Sequence, residues 1–346
     1  MDLNFTQLLT PWPPAASNQT SNFSSLFTQQ VLPALYMLIS GVGLVLNVLA
    51  AWIFFRVPSD SGLVVYLKNM VLADLLMLST YPWRVASEMD LGGWRLRVVV
   101  CRYTAVLFYS SMYVGIVFMG LISLERYVRI VRSSSSSSSS FSCGSPLLQS
   151  VGFARVLALL TWGLLVLSVL PNVVLTSQPG DERSSRDCMK LKSPLGVQWH
   201  RASSLSSVGL FWVTLLVLGF CYSSIACQIY RSYRRVRQDA GEVCRKSNRS
   251  ILSLLAVFFV CFVPYHACRV PYTLSQMPGA GFSWHSRFLL FQIKEGTLFL
   301  SALNVCLDPV IYFLMCRTFR ESLLRKLSGG GVRRRSLTTA QSLSKI

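Results

Sequence analysis

The chain has 346 residues, of which 52% are apolar and only 14% are charged. A soluble globular domain carries about 25% charged residues, so this composition excludes an ordinary soluble protein. The formal net charge of +19 lies mostly beside apolar segments, where membrane topology and anionic inner-leaflet lipid account for it. The charge therefore does not indicate nucleic-acid binding, and the composition indicates a membrane protein in contact with lipid.

Seven apolar segments are long enough to cross a bilayer, which takes ~20 residues as a helix. These segments lie near residues 32–55, 64–87, 98–130, 153–175, 202–230, 250–275 and 288–314. The strands of a membrane β-barrel would be about half as long and would alternate in polarity. We therefore predict an all-α membrane protein with a seven-transmembrane helix bundle over residues 31–316.

The basic residues predict how these spans are oriented. Residues 1–30 contain no Lys or Arg, whereas the segment 231–249 contains seven and the tail 317–345 contains eight. The positive-inside rule places the tail in the cytoplasm and the N-terminus outside. Asn-x-Ser/Thr sequons in the N-terminal segment begin at Asn4, Asn18 and Asn22. We predict a multi-pass plasma-membrane protein with an extracellular, glycosylated tail.

The segments on the cytoplasmic side have different predicted structures. Residues 133–145 form a serine-rich second intracellular loop, which cannot bury a core. Residues 317–327 place apolar side chains on one face and basic ones on the other, which predicts a short amphipathic helix on the membrane surface. Cys316, just before it, is a predicted palmitoylation site. The tail 328–346 is predicted to be disordered.

Several polar residues lie deep inside the predicted spans. Asp74 and Asp308 fall near the middle of the second and seventh spans, where a carboxylate is costly and marks a function. Asn47, Ser111 and Asn304 lie in register with them. These five side chains could share a sodium ion or protons, and the alternative is a polar network that only packs helices. We expect no other metal and no other cofactor.

The third predicted span has a functional residue near each end. It begins near Cys101 and ends in Glu125-Arg126-Tyr127, where Arg126 can pair with the neighbouring acid. Of the ten cysteines, Cys101 and Cys188 are the pair that topology places in the oxidising compartment. We therefore predict a disulfide between them.

The sixth predicted span contains a proline in its middle. Pro264 removes a backbone donor and kinks any helix that passes through it. Beyond it, spacings of four, three and four define one helical face, which comprises Tyr265, Arg269, Tyr272 and Gln276. An arginine at that depth needs an anionic partner. The span is therefore predicted to be a hinged rod with a ligand-binding cationic face at its outer end.

Taken together, these residues resemble the rhodopsin-like (class A) G-protein-coupled receptors across residues 30–327. The motifs that carry the resemblance are Asn47 with Asp74, Glu125-Arg126-Tyr127, Trp162, Cys261-Phe262-Val263-Pro264 and Asp308-Pro309-x-x-Tyr312. The resemblance implies an activation switch in which the inner end of the sixth helix moves outward. The implied switch residues are Glu125, Arg126, Tyr127, Phe262, Pro264, Asp308, Pro309 and Tyr312.

Within that family the chain is similar to the ADP/UDP-sugar branch of the purinergic nucleotide receptors, including its orphan member. The stretches that carry this similarity are YLKNMVLADLLM, VLFYSSMYVGIVFMGLIS, CMKLKSPLGVQWH, FFVCFVPYHACRVPYTLSQ and IKEGTLFLSALNVCLDPVIYF. The implied contacts to phosphate and sugar are Arg97, Lys192, Arg269, Tyr272, Gln276, Lys294 and Glu295. The implied contacts to the base and nearby groups are Tyr109, Asn172 and His200.

The resemblance implies a receptor for an extracellular nucleotide or nucleotide sugar, and not an enzyme. Its implied partners are a heterotrimeric G protein of the inhibitory class, arrestin and receptor kinases. Two alternatives stay open: a lysophospholipid ligand, which also carries a phosphate, and an orphan receptor of the same branch. The chain has no cysteine before the first span or between the last two, where nucleotide receptors place a second disulfide.

Overall fold

The computed structural model describes residues 23, 25–56, 58, 60–132, 147–182, 184–186, 188–235, 241–276 and 281–327. Within these ranges the regular structure is helical, and strands are absent from them. The long helices are α1 Phe27–Arg56, α2 Gly62–Glu88, α3 Gly93–Val131, α4 Val151–Val174, α5 Pro194–Arg235, α6 Gly241–Ser275, α7 Trp284–Met315 and α8 Arg317–Leu327.

Helices α1 to α7 are each long and apolar enough to cross a bilayer. A helix satisfies its own backbone hydrogen bonds, which is why apolar runs of this length fold as helices in lipid. The predicted seven-span bundle is confirmed. Six of the predicted windows fall inside a helix, and the fourth overruns α4 by one residue.

The centre of the bundle is built from α2 and α3. In the most apolar 18-residue window of each span, 67% of the residues of α2 and 61% of those of α3 are buried, against 11% of those of α4. Helix α4 therefore mainly faces lipid. Trp162 Nε1 of α4 donates to Asn69 Oδ1 of α2 at 2.9 Å, and the Tyr81 hydroxyl of α2 donates to the Ala302 carbonyl of α7 at 2.8 Å. These bonds hold α2 between its neighbours.

Both α6 and α7 continue through prolines. Pro264 and Pro271 lie inside α6, and Pro309 lies inside α7. Each proline leaves the carbonyl four residues earlier without its helical donor. Ser301 Oγ of α7 donates to the Cys261 carbonyl at 2.8 Å, close to the proline that the sequence marked as a hinge. Pro271 interrupts the backbone hydrogen bonds of α6 at a second place, which was not predicted from the sequence.

The predicted disulfide is confirmed. Cys101 in α3 is bonded to Cys188 in the loop before α5, with the two Cα atoms 5.3 Å apart. The bond ties that loop to the bundle. We call this end of the bundle the disulfide end.

The predicted short helix after the seventh span is also confirmed, as α8, and its position on the membrane surface stays a prediction. Phe319 of α8 packs against Phe54 of α1 and Tyr312 of α7, with ring centres 5.0 and 6.2 Å away. Cys316 is only 4% exposed, and burial raises the pKa of its thiol. Its palmitoylation stays a prediction, and it requires the thiol to leave these contacts.

Several sequence predictions concern residues outside the described ranges. They are the sequons at Asn4, Asn18 and Asn22, most of the N-terminal tail 1–30, the serine-rich loop 133–145 and the tail 328–346. They stay predictions.

Candidate functional site

Four cations lie at the disulfide end of the bundle. We call them the cationic site: Arg84 of α2, Lys192 before α5, Arg269 of α6 and Lys294 of α7. The side chains of Arg84 and Lys294 are 17% and 11% exposed. A cation so shielded from water is costly unless it has partners. The partners of each cation therefore decide what the site can bind.

Arg269 points into the bundle, as its helical spacing predicts. Its Nε and Nη2 donate to Ser204 Oγ of α5 at 3.3 and 3.1 Å. Its Cζ lies 5.8 Å from the ring centre of Tyr109 on α3 and 5.9 Å from that of Tyr265. No carboxylate oxygen of the described residues lies within 4.0 Å of the guanidinium. Its charge is therefore available to an anion that enters the bundle.

Lys294 and Arg84 share one carboxylate. Lys294 Nζ pairs with Glu295 Oε1, and Arg84 Nη2 lies 2.5 Å from Glu295 Oε2. Lys294 also lies over the rings of Tyr272 and Phe291, at 5.1 and 4.9 Å from their centres. These two cations contact one carboxylate directly, and a second carboxylate, that of Glu88 in α2, also acts on both of them electrostatically. Lys294 can turn to another anion while Arg84 keeps Glu295 neutralised.

Arg84 is a site residue that the sequence analysis missed. Its guanidinium lies 4.6 Å from the ring centre of Tyr36 and 5.9 Å from that of Phe108. A signal was present, because Arg84 is a cation inside an apolar span and follows Tyr81 by one helical turn. Its role depends on Glu295, which is 211 residues away in the chain, and spacing does not show such a partner.

A buried layer lies beneath Arg269. The Tyr113 hydroxyl is 3.1 Å from His266 Nε2, and His266 Nδ1 is 2.8 Å from the Phe262 carbonyl. His266 is fully buried, and its ring centre is 5.1 Å from that of Tyr265. These contacts form a continuous path from the guanidinium to the backbone of α6 near its central proline. Tyr113 and His266 were absent from the predicted set.

A second group of predicted residues lies under the loop before α5. Lys192 Nζ donates to Thr176 Oγ1 at 3.0 Å, and burial lowers the pKa of Lys192. The positive charges of Lys192 and Arg269 both act on the imidazole ring of His200 in α5. Thr176 Oγ1 donates to the Asn172 carbonyl at 2.6 Å, and Asn172 Oδ1 is buried without a hydrogen bond to the described residues. The structure thus brings Lys192, His200 and Asn172 to one side of the site.

Two predicted ligand residues lie apart from the cationic site. Arg97 Nη2 lies 2.5 Å from Asp90 Oδ1, and that aspartate is 61% exposed at the rim. Gln276 is exposed, and its Nε2 donates to Ser275 Oγ at 3.4 Å. A ligand would need to extend to the rim, and at Arg97 compete with Asp90, to reach either residue.

The segment before α1 is fixed to α7 without a covalent bond. Gln292 Nε2 donates to the Phe23 carbonyl at 2.8 Å, and Ser25 Oγ donates to Gln292 Oε1 at 2.8 Å. The ring centre of Phe23 lies 5.6 Å from that of Phe291, the same ring that lies under Lys294. We call these contacts the N-terminal clasp. They join the disulfide end of α7 to the segment just before α1, a part of the chain that has no cysteine for a second disulfide.

We expect Gln292→Ala to loosen the clasp. The variant loses two hydrogen bonds, each contributing roughly 0.5–1.5 kcal/mol, so amides of residues 25–31 should exchange about tenfold faster with solvent. Hydrogen–deuterium exchange of the purified protein measures this. Gln198→Ala, which truncates an exposed glutamine of α5, is the matched control. Equal exchange in both variants would show that the clasp does not hold the segment.

A buried polar network lies in the middle of the bundle. The Tyr312 hydroxyl donates to Asp74 Oδ2 at 2.6 Å, and Asn304 Nδ2 donates to Asp308 Oδ2 at 3.3 Å. The carboxyl groups of Asp74 and Asp308 are both buried, and each acts on the other electrostatically. Two carboxyl groups this close need a shared proton or a cation between them.

The oxygens left over in this network fit a small, hard cation. Those without a hydrogen bond to the described residues are Asn47 Oδ1, Ser111 Oγ, Asn304 Oδ1 and Asp308 Oδ1. Asn47 is fixed by its Nδ2, which donates to the Val305 carbonyl at 2.6 Å. Hard cations prefer such oxygen ligands.

At the opposite end of the bundle, Arg126 is held by two helices. Its Nη2 donates to the Met315 carbonyl of α7 at 2.7 Å, whereas its Nε lies 4.0 Å from Glu125 Oε2. Glu125 is fully buried and lies closer to Arg129, at 3.0 Å. The sequence pattern indicated only the neighbouring acid as the partner of Arg126. The shorter contact in the structure is to the last residue of α7.

The other predicted switch residues pack among aromatic rings. Phe262 is fully buried, with its ring centre 5.5 Å from that of Phe258. Tyr127 lies 5.5 Å from the ring of Phe220 on α5. Pro309 is buried in α7. Tyr127 therefore joins α3 to α5, and Phe262 packs within α6.

The comparisons with known proteins agree with this geometry. The family model described as 7 transmembrane receptor (rhodopsin family) matches residues 46–312. The chain is 45% identical to purinoceptor 14 of Bos taurus over 315 residues, which cover 91% of this chain and 90% of the relative.

Two further relatives match over most of the chain. The chain is 40% identical to G-protein coupled receptor 87 of Mus musculus over 325 residues, which cover 94% of this chain and 87% of the relative. It is 38% identical to purinoceptor 13 of Homo sapiens over 299 residues, which cover 85% and 80%. The chain therefore belongs to the rhodopsin family of seven-transmembrane, G-protein-coupled receptors, in its purinergic nucleotide-receptor branch, and it is a receptor and not an enzyme.

Proposed function

We propose that the chain is a receptor for an extracellular nucleotide or nucleotide sugar of the ADP or UDP-sugar type, whose phosphates bind at the cationic site. The observation that carries the proposal is Arg269, which points into the bundle among neutral partners with Tyr109 beside it. An arginine offers a planar fork to phosphate oxygens, and a lysine offers a point charge. The relatives named purinoceptors support this ligand class.

The disulfide end faces the outside in this proposal, with the N-terminus extracellular. Disulfides form and persist in an oxidising compartment, which supports that side for Cys101–Cys188. The excess of basic residues in 231–249 and 317–345 supports the cytoplasmic side for the opposite end.

Phosphate binding would redistribute the charges at the site. Lys294 leaves Glu295 for a phosphate oxygen, while Arg84 stays with Glu295 and keeps that buried carboxylate paired. Charge-assisted hydrogen bonds contribute roughly 1.5–3 kcal/mol each. Near the upper end of that range, three such bonds from Arg269, Lys294 and Lys192 reach the roughly 8 kcal/mol of micromolar binding.

Four of the remaining predicted contacts lie beside the phosphate position, and two lie farther out at the rim. Tyr109 and Tyr272 present aromatic faces to a base or sugar, because both lie beside the cations. His200 and Asn172 lie toward Lys192 and offer hydrogen bonds to the exocyclic groups of a base. Arg97 and Gln276 at the rim are within the reach only of a larger ligand, such as one carrying a sugar.

The signal would pass along α6. Arg269 is joined through Tyr265 and His266 to the Phe262 carbonyl, two residues before Pro264. A ligand that draws Arg269 and Lys294 together favours one setting of the helix about Pro264. Its inner end then moves outward and opens a cleft for an inhibitory G protein. A shift from 1:99 to 99:1 requires about 5.5 kcal/mol of preference for the active state.

We further propose that the polar network around Asp74 and Asp308 binds a sodium ion that acts as an allosteric modulator. The unpaired oxygens of Asn47, Ser111 and Asn304 support it. Arrestin and receptor kinases are proposed as later partners of the activated receptor.

A competition assay tests the ligand class. Cells that express the receptor are exposed to ADP, UDP-sugars and lysophospholipids, and G-protein activation is measured with and without pertussis toxin, which uncouples inhibitory G proteins. We expect a toxin-sensitive response to a nucleotide or nucleotide sugar. A response to lysophospholipid alone would overturn the ligand proposal, and a toxin-resistant response would overturn the inhibitory coupling.

We expect Glu125→Gln to raise signalling in the absence of agonist. The variant removes the acid beside Arg126 but leaves the bond from Arg126 to the Met315 carbonyl, so the rise should be partial. Basal G-protein activation at matched surface expression measures it. Glu321→Gln, which removes an exposed acid of α8, is the control. Unchanged basal activity would show that Glu125 does not restrain Arg126.

A further inference from the structure

Phe23 supports the aromatic ring on which Lys294 lies. Its ring centre is 5.6 Å from that of Phe291, and Lys294 Nζ is 4.9 Å from the centre of the same Phe291 ring. Phe23 is itself half-buried, and its carbonyl accepts the bond from Gln292. The N-terminal clasp therefore reaches a cation of the cationic site through a single aromatic ring.

Phe27, at the start of α1, contacts α7 one residue beyond Glu295. A Cβ added to Gly296 would lie 3.5 and 3.7 Å from two ring atoms of Phe27, which is ordinary van der Waals distance. The ring of Phe27 therefore lies directly on the α7 backbone at Gly296. Together with Phe23, this contact brackets the ion pair of α7.

The segment that carries these two rings is held by its own hydrogen bonds. The Ser25 amide donates to Thr28 Oγ1 at 3.0 Å, and the Thr28 amide donates to Ser25 Oγ at 3.2 Å. Reciprocal bonds of this kind fix the direction in which a chain enters a helix. Thr28 is only 6% exposed, and Ser25 is also bonded to Gln292 of α7. The start of α1 therefore presents both rings to α7 in a fixed position.

These contacts fix the direction of the Lys294 side chain before a ligand arrives. Ordering one long side chain at the moment of binding weakens affinity by roughly two- to tenfold. Lys294 is held over Phe291 and, at 5.1 Å from its ring centre, over Tyr272 of α6. Because Phe23 packs on the Phe291 ring, part of this order is already present. Residues 1–31 contain no cysteine, so the contacts that supply it are non-covalent and can open.

We propose that Phe23 and Phe27 are positioning residues, which hold Lys294 and Glu295 in the arrangement that receives a ligand phosphate. With the clasp closed, Lys294 extends over the Phe291 ring in one direction. With the clasp open, the ring can turn and Lys294 loses that direction. The consequence for affinity rests on the proposed nucleotide function, whereas the hold on Lys294 does not depend on any ligand.

Labelling of lysine amines in the purified full-length receptor tests the hold on Lys294 without nucleotide. An amine-reactive acylating reagent is added, and mass spectrometry follows the rates at which Lys294 and Lys192 are modified. The side chain of Lys294 is only 11% exposed. We expect Phe23→Ala and Phe27→Ala each to raise its rate about threefold or more, because the clasp then opens more often. The rate at Lys192, on the α5 side of the site, should stay unchanged.

Two further variants show whether the aromatic ring is responsible. Phe23→Tyr keeps the ring of a half-buried side chain, so the labelling of Lys294 should match that of the unmodified receptor. Phe282→Ala removes a phenylalanine that is 37% exposed in the segment before α7, and it should also leave the labelling unchanged. A rise that is absent from either clasp variant, or as large in Phe282→Ala, would overturn the proposal.

A double-mutant cycle tests the consequence for nucleotide binding. Phe23→Ala should lower the potency of ADP or of a UDP-sugar, whichever activates the receptor, by roughly two- to tenfold. In a receptor that already carries Lys294→Ala it should lower potency no further, because the side chain that it positions is gone. In one that carries Arg269→Lys, the loss should equal that in the unmodified receptor. A further loss in the Lys294→Ala receptor would overturn the proposal. A change in labelling without any nucleotide response would instead overturn the proposed function and support the hold on Lys294.

Discussion

Arg269→Ala is expected to lower nucleotide potency by about 100-fold or more while surface expression stays at the level of the unmodified receptor. Among the described residues, the guanidinium hydrogen bonds to Ser204 and contacts tyrosine rings, so its removal leaves none of their buried carboxylates unpaired. A ligand phosphate loses two charge-assisted hydrogen bonds of roughly 1.5–3 kcal/mol each. Concentration–response curves for G-protein activation, normalised to surface receptor, measure the effect.

Arg269→Lys and Arg201→Ala make this result interpretable. Lysine keeps the charge but loses the fork that binds two phosphate oxygens, so we expect Arg269→Lys to recover part of the potency. Arg201 is exposed on α5 and its replacement by alanine should leave potency unchanged. Full potency in Arg269→Ala would exclude Arg269 from the ligand site, and equal losses in both alanine variants would indicate only a long-range effect of charge.

Most of the fold could be predicted because it depends on local sequence. Apolar runs must form helices in lipid, so the seven spans and α8 followed from composition and length. The pairing of Cys101 with Cys188 followed from topology and compartment. The second proline of α6, Pro271, was overlooked, although it is as visible in the sequence as Pro264.

The site was less predictable, because partners from different helices decide it. The helical spacing of α6 correctly predicted that Arg269 points into the bundle. Helical spacing could not show that Arg84 pairs with Glu295, or that Arg126 donates to the Met315 carbonyl. The two residues are 211 positions apart in the first pair and 189 in the second. Arg97 has a local reason for its position, because Asp90 pairs with it across a turn.

The geometry of Glu295 couples ligand binding to helix packing. Its two oxygens join a cation from α2 to a cation from α7, and the N-terminal clasp reaches the same part of α7 through Phe291. A ligand that binds Lys294 draws it away from Glu295 and neutralises its charge. Binding therefore also changes the contact between α7 and α2. Ligand binding and stability should respond together when Glu295 is changed.

Glu295→Gln is accordingly expected to destabilise the receptor more than any other single change in the site. The carboxylate side chain is only 10% exposed, and its loss leaves Arg84 and Lys294 shielded from water without the one carboxylate that contacts them directly. Breaking a buried pair by removing one partner costs about 3–5 kcal/mol. Thermal unfolding of the purified receptor should show a lowered midpoint, and surface expression should fall. Glu321→Gln, which breaks the exposed pair with Arg317, should show neither effect.

The double variant Arg84→Gln with Glu295→Gln decides whether the pairing causes this loss. Removing both partners leaves Lys294 as the only cation of the group, and two amides can hydrogen bond where the ion pair stood. The midpoint should therefore rise from that of Glu295→Gln toward that of the unmodified receptor. The stability lost in the double variant should be smaller than the sum of the two single losses by roughly 1–3 kcal/mol. If the two losses simply add, Arg84 and Glu295 do not depend on each other, and Glu295 serves Lys294 alone. Nucleotide added at saturation should stabilise Glu295→Gln more than the unmodified receptor, because its phosphates supply the missing anion.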